Sequence, residues 1–212
     1  MSGASREALN SDPHLEIFRC KGIEVLYLYE PVDEFVMTGL AKYKEDYMLT
    51  SVEQAQLNKL DGFEDVQKQE LDFEKLSDGE EKVFEKLLTK IKDILGDRVK
   101  DVRESKRLRD SASCLVSPEG EMTSHMQKIL HIMNKDMTPP KKIFEVNKDH
   151  KLIRNLLKIY KNDPKDPFVV ETVEQLFESA LLLEGYLSDP HKLVNRIQDI
   201  LEKSSEWHPG KK

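Results

Sequence analysis

The chain has 212 residues and a mass of 24.6 kDa, enough for one large domain or two small ones, each burying a core. Apolar residues make up 38% and charged residues 34%, with a mean hydropathy of −0.59, which excludes a disordered tail; no apolar run approaches the ~20 residues that span a bilayer, and Met1–Lys21 has no signal-peptide core. A net charge of −7 argues against tight binding to phosphate backbones, and Cys20 and Cys114 match neither a disulfide framework nor a metal-ligand spacing, so a reducing, cytosolic setting is expected.

The pattern predicts helix over about 5–20, with Pro13 opening a second helical piece at its first position and Lys21-Gly22 ending it. Ile23–Tyr29 is apolar at almost every position, the pattern of a strand covered on both faces. Pro31 then starts a helix with Val32, Phe35, Val36 and Leu40 on one stripe, and a short strand over 47–52 would complete a β-α-β crossover. Two strands cannot make an independent sheet, so residues 1–56 read as the partial α/β/α end of a larger domain.

Residues 57–76 lose periodicity and read as an acidic linker. From Glu53 to Lys82 the net charge is −6, whereas from Lys86 to Arg109 it is +5; both read most simply as solvated faces. Residues 77–204 read as an α+β domain. Ser77 followed by Glu80 fits a capping box, after which Val83, Phe84, Leu87, Leu88, Ile91, Ile94 and Leu95 recur at helical spacing until Gly96. Strands are expected over 99–108 and 112–116, joined by a turn, and over 143–146, with a helix over 121–133 between the last two. Three helices follow, over about 150–160, 168–184 and 190–203, and a mobile tail over 205–212. Apolar residues wrap most of the second of these, so the closing helical hairpin has more apolar surface than one small domain covers, and a second copy is the natural cover.

Specific stretches carry a resemblance. Ser11–Leu28 with Pro31–Glu34 resembles the last α/β subdomain of the middle domain of the ninety-kilodalton heat-shock chaperones. Leu95–Arg103, Arg107–Asp110, Ile143–Asn147, His150 and Gln175–Asp189 resemble, in the same order, the C-terminal dimerisation domain of that family in its bacterial form. The resemblance implies a fragment that ends in a helical hairpin and pairs as an intermolecular four-helix bundle. ATP and magnesium would belong to the full-length members, on residues preceding Met1, so no cofactor and no catalytic or metal site is expected within this chain. The ending Trp207–Lys212 lacks the acidic co-chaperone motif of cytosolic eukaryotic members, which favours a bacterial cytoplasmic origin over an organellar one.

The implied partners are a second copy of the chain and unfolded or partly folded client proteins, with no nucleic acid and no membrane. Met122, Met126, Ile129, Leu130 and Met133 share one helical stripe. Such a stripe is ordinarily core, but a Met-rich face adapts to many shapes, and the resemblance implies client contact for Met122, Met126, Ile129 and Leu130, with Thr123, Ser124 and His125 on the wet face. Phe35 stands where bacterial members commonly carry a client-binding tryptophan; core packing is its alternative, and Glu34 and Thr38 are candidates by position alone. The expected dimer interface is Leu176, Phe177, Ala180, Leu183, Leu193, Ile197, Ile200 and Leu201, with intramolecular core as the competing reading. A free-standing adaptor binding another protein remains open as the second reading. An enzyme reading finds no phosphate loop, no nucleophile elbow and no histidine pair at metal spacing.

Overall fold

Short local signals set the first elements of the chain, for which a computed structural model describes residues 1–3, 5–40, 42–44, 47–53, 57–66, 75–118, 120–122, 126–127 and 140–206. Ser5 caps helix α1 (Arg6–Asn10) by accepting the Ala8 N–H, and Asp12 accepts the His14 N–H to start a 3-10 turn over Pro13–Leu15. That turn runs into α2 (Glu16–Cys20), closed by Gly22 at a φ of +62°. The expected strand over 23–29 does not form. Among the described residues its one β-bridge is the parallel pair Ser2 and Leu28, and one bridge is too short a ladder to hold a strand.

Helix α3 (Pro31–Leu40) follows as read, its start held by the Asp33 carboxylate, which accepts the Tyr29 and Glu30 N–H groups at 3.1 Å. The second expected strand is reduced to β2 (Tyr47–Met48), paired antiparallel with β1 (Lys42–Tyr43) as a small hairpin, so no parallel crossover is made. Leu15, Ile17, Phe18 and Val52 form the core of this N-terminal unit. Of the expected linker, residues 57–66 belong to that unit: Leu57 and Leu60 pack on its core, Val66 donates to the Cys20 carbonyl, and Lys21 pairs with Asp65 at 3.1 Å.

The C-terminal body begins at α4 (Asp78–Leu95). Its capping box is formed, the Ser77 N–H donating to Glu80 Oε2 at 3.0 Å, and Gly96 ends it at a φ of +54°. Phe84, Leu87, Leu88, Ile91 and Leu95 line its buried face, as their spacing requires. Three strands follow, β3 (Val99–Glu104), β4 (Ser113–Val116) and β5 (Lys142–Val146). β3 and β4 are not neighbours. β5 lies between them, parallel to β3 and antiparallel to β4, with Phe144 opposite both Val102 and Leu115.

A chain joining β3 to β4 must therefore pass across the exit of β5. Two backbone bonds pin it there, Ser105 N–H to Val146 C=O at 2.8 Å and Asn147 N–H to Ala112 C=O at 2.9 Å. Helices α5 (Lys151–Asn162), α6 (Pro167–Leu183) and α7 (Pro190–Glu206) complete the body. His150 Nδ1 and the Asp166 carboxylate cap the first two of these. Phe144 and Phe177 meet edge to face at 6.0 Å inside a single core built from α4, the sheet, α5 and α6. No helix among the described residues is long and apolar enough to cross a membrane.

Candidate functional site

Helices α6 and α7 form an antiparallel hairpin. Gly185, at a φ of +72°, turns the chain, and the Tyr186 N–H reaches back to the Leu181 carbonyl at 2.8 Å. Two ion pairs seven residues apart on both helices fix the register: Arg196 with Glu178 at 2.6 Å, and Lys203 with Glu171 at 2.9 Å.

The residues expected at an interface divide by burial. Phe177, Ala180 and Leu193 are buried inside the chain, Phe177 and Ala180 within its main core. For these three the competing core reading fits the burial. Leu176 and Ile200 are half-buried. Leu183, Ile197 and Leu201 stand in solvent at 69%, 40% and 62% exposure, and Leu182 and Val194, which the expected interface omits, stand there too. Leu193, Ile197 and Ile200 share one stripe at i, i+4 and i+7, so the apolar surface of α7 runs continuously from core to solvent. Sequence could reveal the excess of apolar surface but not which residues supply it.

The second group lies on the N-terminal unit. Phe35 is 56% exposed on α3, beside exposed Val32, Val36 and Leu40. Phe35 is not part of the buried core of this chain. Glu34 and Thr38 lie on the same helix, but their side chains are outside the described residues. Met122 is exposed and Met126 is half-buried in a helical position, whereas Ile129, Leu130 and Thr123–His125 lie outside the described residues.

Between the unit and the body lies a polar junction that sequence reasoning missed, because a buried charge has no periodicity. His14 is buried with both ring nitrogens facing acceptors, Nδ1 at 2.7 Å from Asp12 Oδ1 and Nε2 at 2.8 Å from the Leu115 carbonyl on the outer edge of β4. Burial opposes its protonation, but the bond to Asp12 and the charges of Asp12, Glu184 and Glu53 outweigh that and raise its pKa above the usual histidine value. The Glu16 carboxylate is held by the Arg109–Ser111 loop. Arg107, 2% exposed, donates through Nε to the buried Glu145 at 3.1 Å and through Nη1 to the Val52 carbonyl at 3.3 Å, while Arg103 and Ser105 donate to the same carboxylate. Both carboxylate oxygens of Glu145 thus accept hydrogen bonds from β3 and the loop after it, which offsets the cost of burying them. No group of three or more His, Cys, Asp or Glu among the described residues could hold a metal ion.

Comparison with known proteins places this arrangement. The family model described as Hsp90 protein matches residues 1–211. Chaperone protein HtpG of Oleidesulfovibrio alaskensis is 49% identical over 208 residues, and that of Nitratidesulfovibrio vulgaris 46% over 208. In both cases the match covers 98% of this chain and 32% of the relative. The HtpG of Geobacter sulfurreducens is 36% identical over 202 residues, 95% of this chain and 30% of its own. The chain thus spans about a third of the length of the curated relatives it matches, and it belongs to the Hsp90 family.

Proposed function

We propose that this chain is the pairing and client-contact portion of an ATP-dependent Hsp90-type chaperone. The observation that carries the reading is the apolar surface of the α6–α7 hairpin, where Leu183, Val194, Ile197 and Leu201 stand in water while their neighbours Phe177, Ala180 and Leu193 are core. A contiguous apolar surface of this kind marks an interaction site, and a hairpin covered by its own two-fold copy makes a four-helix bundle. Exposed Phe35 and Met122 support a further role in holding unfolded chains, since aromatic and Met side chains adapt to many partners.

The mechanism is mechanical. Pairing of these hairpins raises the effective concentration of whatever else the two chains carry, so that nucleotide bound elsewhere in the full protein can close and reopen a clamp around a client. The residues of this chain bind no ATP or magnesium and hydrolyse nothing by themselves; the expected location is the bacterial cytoplasm. The test is hydrogen exchange at the amides of α6 and α7 over a concentration series. Protection that rises with concentration in α6 and α7 and stays constant in α4 supports pairing through the hairpin; protection independent of concentration throughout contradicts it.

A further inference from the structure

Three consecutive backbone N–H groups and one hydroxyl converge on a single buried carboxylate at the junction. Glu16, 5% exposed, accepts from the N–H of Arg109 at 2.5 Å, Asp110 at 2.8 Å and Ser111 at 3.1 Å, and from Ser111 Oγ at 2.5 Å. Successive N–H groups aimed at one point form a nest, the backbone geometry that binds anions. These four donors sit on the C-terminal body, whereas their acceptor comes from α2, more than ninety residues earlier in the chain.

The nest is also built without help from Glu16. Asn147 Nδ2 donates to the Ser111 carbonyl at 3.0 Å and to the Arg109 carbonyl at 3.3 Å, tying the outward-facing carbonyls of the loop to the exit of β5. Ser105 Oγ accepts the Arg107 and Leu108 N–H groups at 3.2 and 3.1 Å, which fixes the approach to the loop, and itself donates to Glu145 at 2.9 Å. Each of these supports belongs to the body. A cavity of about 560 Å³ lined in part by Cys20, Leu108, Arg109 and Asn147 opens beside the loop.

We infer that Arg109–Ser111 is a preformed carboxylate receptor of the C-terminal body, and that its occupation by Glu16 is one latch, beside the His14 and Arg107 contacts, that holds α2 of the N-terminal unit in place. The receptor accepts a carboxylate because four hydrogen-bond donors of a part-buried loop are aimed at one point, and a carboxylate offers the lone pairs to satisfy them all. Withdrawal of Glu16 therefore leaves a site of defined chemistry, open to a carboxylate from another source.

The test uses the 212-residue chain with Glu16→Ala, followed by amide hydrogen exchange and mass spectrometry, in sodium acetate and in sodium chloride of equal ionic strength. In chloride, the amides of 109–111 and of α2 are expected to exchange at least tenfold faster than in the parent chain, with α4 and β5 unchanged. Tens of millimolar acetate should restore slow exchange at 109–111 while leaving α2 fast, because the receptor is refilled but the latch is not. Unchanged exchange at both segments in chloride overturns the latch, and acetate no better than chloride overturns the preformed receptor. If Glu16→Ala does not fold, Glu16→Gln is read instead. Its amide places a donor against donors, so local acceleration at 109–111 and α2 with an intact α4 supports the inference, whereas no acceleration, or acceleration spread evenly through the chain, overturns it.

Discussion

Truncating Leu183 and Leu201 to alanine should weaken pairing while leaving the fold of each chain intact. Burying a leucine side chain fully contributes about 1.5–3 kcal/mol, and Leu183 and Leu201 keep 69% and 62% of their surface exposed in the single chain. Covering that remainder on association contributes about 1–2 kcal/mol per side chain, and a two-fold axis counts each substitution twice. Each variant should therefore lose about 2–4 kcal/mol of pairing free energy, a rise in dissociation constant of roughly thirty- to thousandfold. Leu193→Ala is the control: at 5% exposure its loss falls on folding, at about 2–5 kcal/mol, and lowers the melting temperature. Sedimentation equilibrium measures the first effect and thermal melting followed by circular dichroism the second. The reasoning fails if Leu183→Ala and Leu201→Ala leave the dissociation constant within threefold of the parent, or if they destabilise the chain as much as Leu193→Ala does.

Four further outcomes are expected. Phe35→Ser and Met122→Ser, both at exposed positions, should reduce suppression of a client's aggregation, read by light scattering, without moving the melting temperature. Lys142→Met should cost about 3–5 kcal/mol in urea denaturation, because Lys142, 2% exposed, pairs with Glu184 at 2.8 Å and its removal strands a largely buried carboxylate. Gly185→Ala, at a φ of +72°, should cost about 1–2 kcal/mol at the hairpin turn, measured the same way. The two junction-side histidines should give opposite pH dependences. His14 has a raised pKa, so its contribution is complete below the unfolded value of about 6.5 and is lost as pH rises through the folded value. His150 has its pKa lowered by burial, so its contribution is complete above that value and is lost as pH falls. Melting from pH 5.5 to 8 should show the alkaline loss flattened in His14→Gln and the acid loss flattened in His150→Ala; either variant retaining the parent's profile contradicts the assignment.

Elements governed by short-range rules were legible from the residues alone. The capping box at Ser77 and Glu80, the glycine stop at Gly96 and the 3.6-residue spacing between them placed α4, because each acts within one or two helical turns. Pro167 and Pro190 marked the starts of α6 and α7 for the same reason. What sequence missed depends on distant partners. Ile23–Tyr29 has the composition of a buried strand, yet a strand needs ladder partners, and among the described residues it has the single bridge to Ser2. Strands over 99–108 and 112–116 are expected from the sequence to be joined by a turn, but the first ends at Glu104, Glu145 draws Arg103 and Arg107 to opposite oxygens of its carboxylate, and β5 lies between the two strands.

The same limit governed the surface. Helical periodicity identified the apolar residues of α6 and α7 but gave Leu193 and Leu201 equal standing, although one is core and the other stands in solvent. Glu16, His14 and Arg107 lie in stretches that carry the resemblance, but no spacing pointed to their contacts, which are made across tens of residues of chain.

Self-association of the unmodified chain is the most direct measurement, as solution mass by sedimentation equilibrium from nanomolar to tens of micromolar protein. A mass near twice 24.6 kDa, falling to the single-chain value only on extreme dilution, is the expected result. A mass that stays at 24.6 kDa across the whole series contradicts pairing through the exposed face of α6 and α7.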